Sequence, residues 1–102
     1  MLEIVTRPAA ITDLVEAASN LEETAGPYIA ERFLRMAQEC FRELSIMPAS
    51  GQPHSRPTYP GLRTWQIRPH PHLILYNATD TTLEILRIAH APTDTEAITN
   101  AQ

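Results

Sequence analysis

Lysine is absent from this chain of 102 residues, cysteine occurs once and glycine three times. Each shortage excludes something. A lone Cys40 cannot close an internal disulfide, so the fold must stand on its core. The place of Cys40 in an apolar helical stripe reads as a small buried core residue rather than a reactive thiol. No apolar run approaches the roughly 20 residues of a membrane-spanning helix, and "MLEIVTRPAA" has neither the basic nor the apolar region of a signal peptide. A cytoplasmic protein is the expectation. The net charge of −4 opposes nonspecific attraction to nucleic-acid phosphates, so no direct nucleic-acid binding is expected. With no lysine, all eight basic side chains are arginine, whose planar fork suits carboxylates, phosphates and interfaces.

What is present describes one ordinary globular domain spanning residues 1–102, with 43% hydrophobic and 20% charged residues. Charge is unevenly spread. Residues 1–50 carry eight acids against four arginines, whereas residues 51–102 carry four of each and all four histidines. "LEIVT" has the length and branching of a strand. From Pro8 onward Ile11, Leu14, Val15, Ala18 and Leu21 follow the helical i, i+3, i+4, i+7 spacing, and proline suits a first helical turn. Gly26-Pro27 interrupts the pattern, and Ile29, Phe33, Met36, Ala37, Cys40 and Leu44 begin a second stripe. Two helices joined in this way form an αα-hairpin.

Residues 48–61 hold four of the nine prolines and two of the three glycines, the composition of a surface loop. "LRTWQIR", "HLILYNA" and "TLEILRIA" then read as an antiparallel meander. Its turns are "PHP" and "TDTT", the second with Asp80 able to bond its own backbone. "APTDTEAITNAQ" has the makings of one helical turn capped by Thr93 or Thr95. The fold class is α+β in the order β-α-α-β-β-β, with a helical hairpin on one face of a mainly antiparallel four-stranded sheet. One hairpin covers only one sheet face, so the other is expected to be available for a partner.

That order, with "PGLR", "HPHLILY" and "LEILRIAHA" at their spacings, resembles the ParE branch of the RelE/ParE superfamily of type II toxin–antitoxin toxins. The resemblance covers nearly the whole chain, and its specific part is the meander. It implies a small bacterial toxin that poisons DNA gyrase by binding, has no cofactor, and is neutralised by a cognate ParD-type antitoxin that wraps around it. The chain departs from the pattern in two places: Asn77 stands where an arginine is usual, and the segment Ala91-Pro92-Thr93-Asp94 stands where a basic one is usual.

The same resemblance points to Arg63, His70, Tyr76, Arg87 and His90 as family-characteristic or partner-binding positions. Alternation places Arg63 on the face of Trp65 and Ile67, where it would stack on the ring or pair with a carboxylate. It also places Arg87 with Leu83 and Ile85, where a buried arginine must be paired. Tyr76 reads as half-buried with its hydroxyl at the sheet edge, and Trp65 as core. His70, His72 and His90 raise the question of a metal site, but Pro71 makes the first two a turn, so no metal is expected and His70 is assigned to fixing that turn by a hydrogen bond. An mRNA-cleaving enzyme of the RelE type is an open alternative. Yet Thr64, Gln66 and Leu73 fall where RelE-like chains carry basic residues, and none of them supplies acid–base chemistry. A further alternative is a weakened toxin that mainly binds its antitoxin.

Overall fold

The computed structural model describes residues 1–54 and 57–90. Its elements are β1 (Glu3–Thr6), α1 (Pro8–Ala25), α2 (Pro27–Ile46), a 3-10 turn (Pro48–Ser50), β2 (Gln52–Pro53), β3 (Arg63–Gln66), β4 (His72–Ala78) and β5 (Thr82–His90). The strands form one sheet in the order β1-β5-β4-β3-β2. β1 runs parallel to β5, and the other neighbours are antiparallel. The α+β architecture is the expected one, with a correction: the proline-rich loop contributes a fifth, two-residue strand at the sheet edge, a position that tolerates Pro53 because an edge residue needs no second ladder partner. The expected terminal helical turn lies outside the described residues.

Proline occupies the first position of both helices, and Gly26 joins them at φ +93°, a backbone region that side chains other than glycine rarely adopt. On α2 the expected stripe packs well: Phe33, Ala37 and Leu44 are buried, together with Ala30, Phe41 and Ser45. On α1 the stripe is rotated. Ala10 and Ala17 are the buried residues, with Leu14 and Leu21 packed against the core. Ile11 and Val15, expected inside, are 50% and 62% exposed. The reason is Asp13, which stands at helical spacing from both Ala10 and Ala17 and so shares their face. It is drawn to β5 by hydrogen bonds from Arg87 and from the Ile88 amide.

The main core lies between the helices and the sheet and holds Phe33, Ile67, Ile74, Tyr76, Leu83, Ile85 and Ile88. The opposite face is not bare, contrary to the expectation. Leu62, Leu75, Leu86 and Ala89 are buried there as a second cluster, against which Tyr59 and Leu73 pack, because the chain entering β3 returns across that face.

A register shift in β5 changes which residues look inward. Tyr76 lies opposite Ile85 and Leu75 opposite Arg87, so Leu86 is an extra residue. One extra residue reverses the alternation beyond it. Ile88 therefore joins Leu83 and Ile85 in the main core, while Leu86 joins the second cluster. Simple alternation places Arg87 with Leu83 and Ile85 and Ile88 with Leu86, and the bulge corrects both placements. At the β4–β5 turn the Thr79 hydroxyl, rather than Asp80, accepts hydrogen bonds from the Thr81 and Thr82 amides at 3.3 and 3.0 Å.

Candidate functional site

Arg63 and Tyr76 face each other across the β3–β4 ladder. Tyr76 is fully buried, and its hydroxyl donates to the Pro48 carbonyl at 2.6 Å and accepts from the Gly51 amide at 2.9 Å. The expectation of a half-buried tyrosine with its hydroxyl at the sheet edge is thus corrected: the hydroxyl is drawn into the 48–51 segment by two complementary backbone groups. Arg63 serves the same segment. Its Nη1 donates to the Gly51 carbonyl at 2.7 Å and the Ala49 carbonyl at 3.4 Å, so its structural partners are backbone carbonyls rather than a ring or a carboxylate. Burial raises the Tyr76 phenol above its ordinary pKa, opposed by the Gly51 hydrogen bond and the Arg63 charge. Burial raises Tyr59 as well.

These two shifts carry a pH dependence of known sign. Unfolded tyrosines ionise near about pH 10, where the folded ones still hold their protons, so the unfolded state binds fewer protons and stability falls as pH rises. The contribution is complete below about pH 10 and is lost above it. Urea midpoints taken from about pH 8 to about pH 11.5 are expected to hold level and then drop, with a shallower drop in Tyr76→Phe; an equal drop in both proteins would assign the slope to other groups.

Arg87 lies apart from this pair. Its Nε and Nη2 donate to the two carboxylate oxygens of Asp13 at 2.8 and 3.0 Å, and the Ile88 amide donates to the same carboxylate at 2.9 Å. The pairing expected of a buried arginine is present, though the guanidinium is one-third exposed and it is Asp13 that is largely enclosed. Asp13 is missing from the residues that the sequence singles out, but an acid on the buried face of a helix is the signal that points to it.

The histidines form a row of rings at the far end of the meander. His70 packs edge-on against Phe33 with centroids 5.1 Å apart, His72 lies 4.9 Å from Phe33, and His90 stands 5.0 Å from His72, its cross-strand neighbour. The turn before β4 is held by the His70 amide bonding the Ile67 carbonyl and by Gln66 Nε2 bonding the His70 carbonyl, both at 2.9 Å. The His70 ring packs on Phe33, and among the described residues the turn is bonded through the His70 backbone rather than through the ring, as expected of it. Among the described residues, no group of three or more His, Cys, Asp or Glu is placed to hold a metal ion. The five singled-out residues thus occupy three separate places: Arg63 with Tyr76, Arg87 with Asp13, and His70 and His90 on either side of His72.

Elsewhere, Thr64, Gln66 and Leu73 line one cavity of about 280 Å³ on the outer side of β3, with Arg68 its one charged lining residue. Cys40 is half-buried, and burial raises its thiol pKa despite a hydrogen bond from the Trp65 side chain, consistent with an inert core position. No helix among the described residues is long and apolar enough to cross a membrane.

A helical hairpin on one face of a meander, with the N-terminal strand parallel to the last one, defines the fold class of RelE/ParE-like toxins. A family model, the ParE toxin of the type II toxin–antitoxin system parDE, matches residues 4–94. The chain belongs to that family. Among solved structures it is similar to the chromosomal ParDE system of P. aeruginosa, with a TM-score of 0.73, 23% identity, and coverage of 88% of this chain and 96% of that one. The RelBE2 toxin–antitoxin complex of Mycobacterium tuberculosis gives a TM-score of 0.57 at 26% identity, covering 87% of this chain and 90% of that one. YafQ from E. coli gives 0.53 at 16%, covering 89% and 94%. A search of curated protein sequences gives no match.

Proposed function

We propose that this protein is a toxin that acts in the cytoplasm by binding DNA gyrase, without catalysis of its own, and that a ParD-type antitoxin neutralises it. The observation that carries this reading is the family match over residues 4–94. The cavity chemistry supports a binding mode of action over RNA cleavage: hydroxyl, amide and leucine side chains stand with a single arginine where cleavage of a phosphodiester requires a base, an acid and several cations. The antitoxin reading is supported by the helical hairpin, where Ile11, Val15, Tyr28 and Leu34 are exposed on a surface rich in acids. Such a surface suits an amphipathic segment with basic flanks. Two readings compete. The similarity to RelBE2 at 26% identity favours ribosome-dependent mRNA cleavage. The engagement of Arg63 and Arg87 in intramolecular contacts favours a weakened toxin that mainly binds its antitoxin.

Induction without antitoxin separates the three. Gyrase poisoning is expected to give filamentation, a DNA-damage response and accumulated cleaved gyrase–DNA complexes while translation continues. Codon-phased cuts in ribosome-bound message, detected by primer extension, would transfer the assignment to the cleaving branch. Neither cuts nor gyrase complexes, together with copurification of the adjacent gene product, would leave antitoxin binding as the function.

A further inference from the structure

β1 forms one edge of the sheet, and among the described residues β5 is the one strand beside it. Its backbone groups alternate in direction. The Glu3 amide donates to the Thr81 carbonyl and the Arg7 amide to the Ile85 carbonyl, each at 3.0 Å, so Glu3, Val5 and Arg7 turn their N–H and C=O toward β5. Ile4 and Thr6, which lie between them, turn theirs outward, away from the sheet. Leu2 is next in that alternation, but its amide is taken by the Ser45 carbonyl at 2.9 Å. Pro8, at the other end, has no amide to give and opens α1. The open edge thus runs from Ile4 to Thr6. Ile4 and Val5 are 37% and 39% exposed, and the strand contains none of the lysine or proline that commonly guards such an edge.

The side chains take the faces of their neighbours on β5. Ile4 and Thr6 stand beside Leu83 and Ile85 on the helix side, whereas Glu3 and Val5 stand beside Thr82 and Glu84 on the other. Arg7 shares that outer face, since its Nη2 donates to the Glu84 carboxylate at 3.0 Å. The outer face of the edge therefore reads acid, valine, arginine at every second residue. Reversed, that order complements itself.

We propose that β1 is an interface for a second copy of this chain, paired antiparallel across a two-fold axis at Val5. A two-fold interface presents the same patch on both sides, and few symmetric registers set outward-facing residues against each other. Setting Ile4 against the partner's Ile4 sends Thr6 to Leu2, whose amide is engaged. Setting Thr6 against the partner's Thr6 sends Ile4 to Pro8, which has none. Setting Ile4 against the partner's Thr6 uses every open group: the two residues exchange both N–H and C=O bonds, and symmetry repeats the exchange. The same register places Val5 against the partner's Val5 and, on either side, Glu3 against the partner's Arg7. These are the closely spaced positions between the hydrogen-bonded pairs, where cross-strand side chains meet. Arg7 holds Glu84 through one nitrogen and keeps further donors for a second acid. Hydrogen bonding and charge thus select one register independently. The inference goes beyond the proposed function and does not rest on it, because none of the residues assigned to antitoxin binding takes part.

Sedimentation equilibrium of the full chain is expected to show the mass rising from one chain toward two between about 5 and about 500 μM, with a dissociation constant of about 100 μM or tighter. Hydrogen exchange at the Ile4 and Thr6 amides should slow in step. Glu3→Arg and Arg7→Glu should each weaken self-association at least about tenfold, because each sets like charges against one another on both sides of the axis. Mixed in equal amounts, the two variants should recover it, since one then carries only positive and the other only negative charge along the seam. Val5→Lys, at an exposed position, places like charges on the axis and should abolish association; it decides the question if Arg7→Glu does not fold. A chain still monomeric at about 500 μM, a dimer indifferent to Val5→Lys, or a mixture of folded charge variants that associates no better than its components would each overturn the proposal. Ile4 and Thr6 amides that slow only when the adjacent gene product is added would overturn it too, giving the edge to that partner.

Discussion

Arg87→Ala is expected to cost about 2–4 kcal/mol of folding stability and to lower Tm by more than about 10 °C. The physical reason lies with the partner left behind. The Asp13 side chain is 12% exposed, and in the variant its carboxylate would retain only the Ile88 amide of its three donors. Removing one member of an enclosed ion pair strands the other charge, and that cost exceeds the modest value of an exposed pair. Arg87→Lys keeps the charge but loses the two-pronged geometry, so it should recover only part of the stability. Asp13→Asn should be milder than Arg87→Ala, because an amide oxygen still accepts from Ile88 and no buried charge is orphaned. Urea denaturation of the two singles and the double variant gives the coupling energy. A coupling near zero would show that α1 is held to β5 by apolar packing alone. The result bears on function as well: lost toxicity in Arg87→Ala cannot be assigned to a target contact until circular dichroism shows that the variant is folded.

The helical hairpin, the meander and the pairing demanded of Arg87 are legible in the sequence because local periodicity and the cost of burying charge determine them. The α2 stripe is readable since Phe33, Ala37 and Leu44 leave one apolar face. On α1, Ile11 and Val15 satisfy the same spacing rule as Leu14 and Leu21, and only the long-range attachment of Asp13 to β5 decides which set turns inward. The bulge at Leu86 has no local signature, so counting along β5 fails beyond Ile85. β2 is too short to announce itself, and the cavity beside it depends on where a 3-10 turn interrupts a strand. The family arginine at position 63 can be located, but its partners are carbonyls 12 and 14 residues away, and spacing says nothing about them.

The same segment provides the second large effect. Tyr76→Phe is expected to cost about 2–4 kcal/mol, because the Gly51 amide and the Pro48 carbonyl each lose a buried partner and an unmet polar group costs about 1–3 kcal/mol. Gly51→Ala should cost a similar amount for a different reason. The backbone of Gly51 lies at φ −71°, which alanine adopts readily, so conformational freedom is not what requires glycine there. Space is. A methyl group would collide with the Tyr76 hydroxyl and stand 2.8 Å from the Thr64 carbonyl. Relief of such a clash requires displacing the 3-10 turn, and overpacking of this kind costs about 1–3 kcal/mol in addition to any hydrogen bond broken. The two substitutions should not add. Once phenylalanine removes the hydroxyl, the alanine methyl meets less and the bond it would have broken is already gone, so the double variant should be more stable than the summed losses by at least about 1 kcal/mol. Denaturation midpoints of the three proteins measure this directly. Strict additivity, or a Tyr76→Phe loss below about 0.5 kcal/mol, would mean that Arg63 alone holds the 48–51 segment against the sheet.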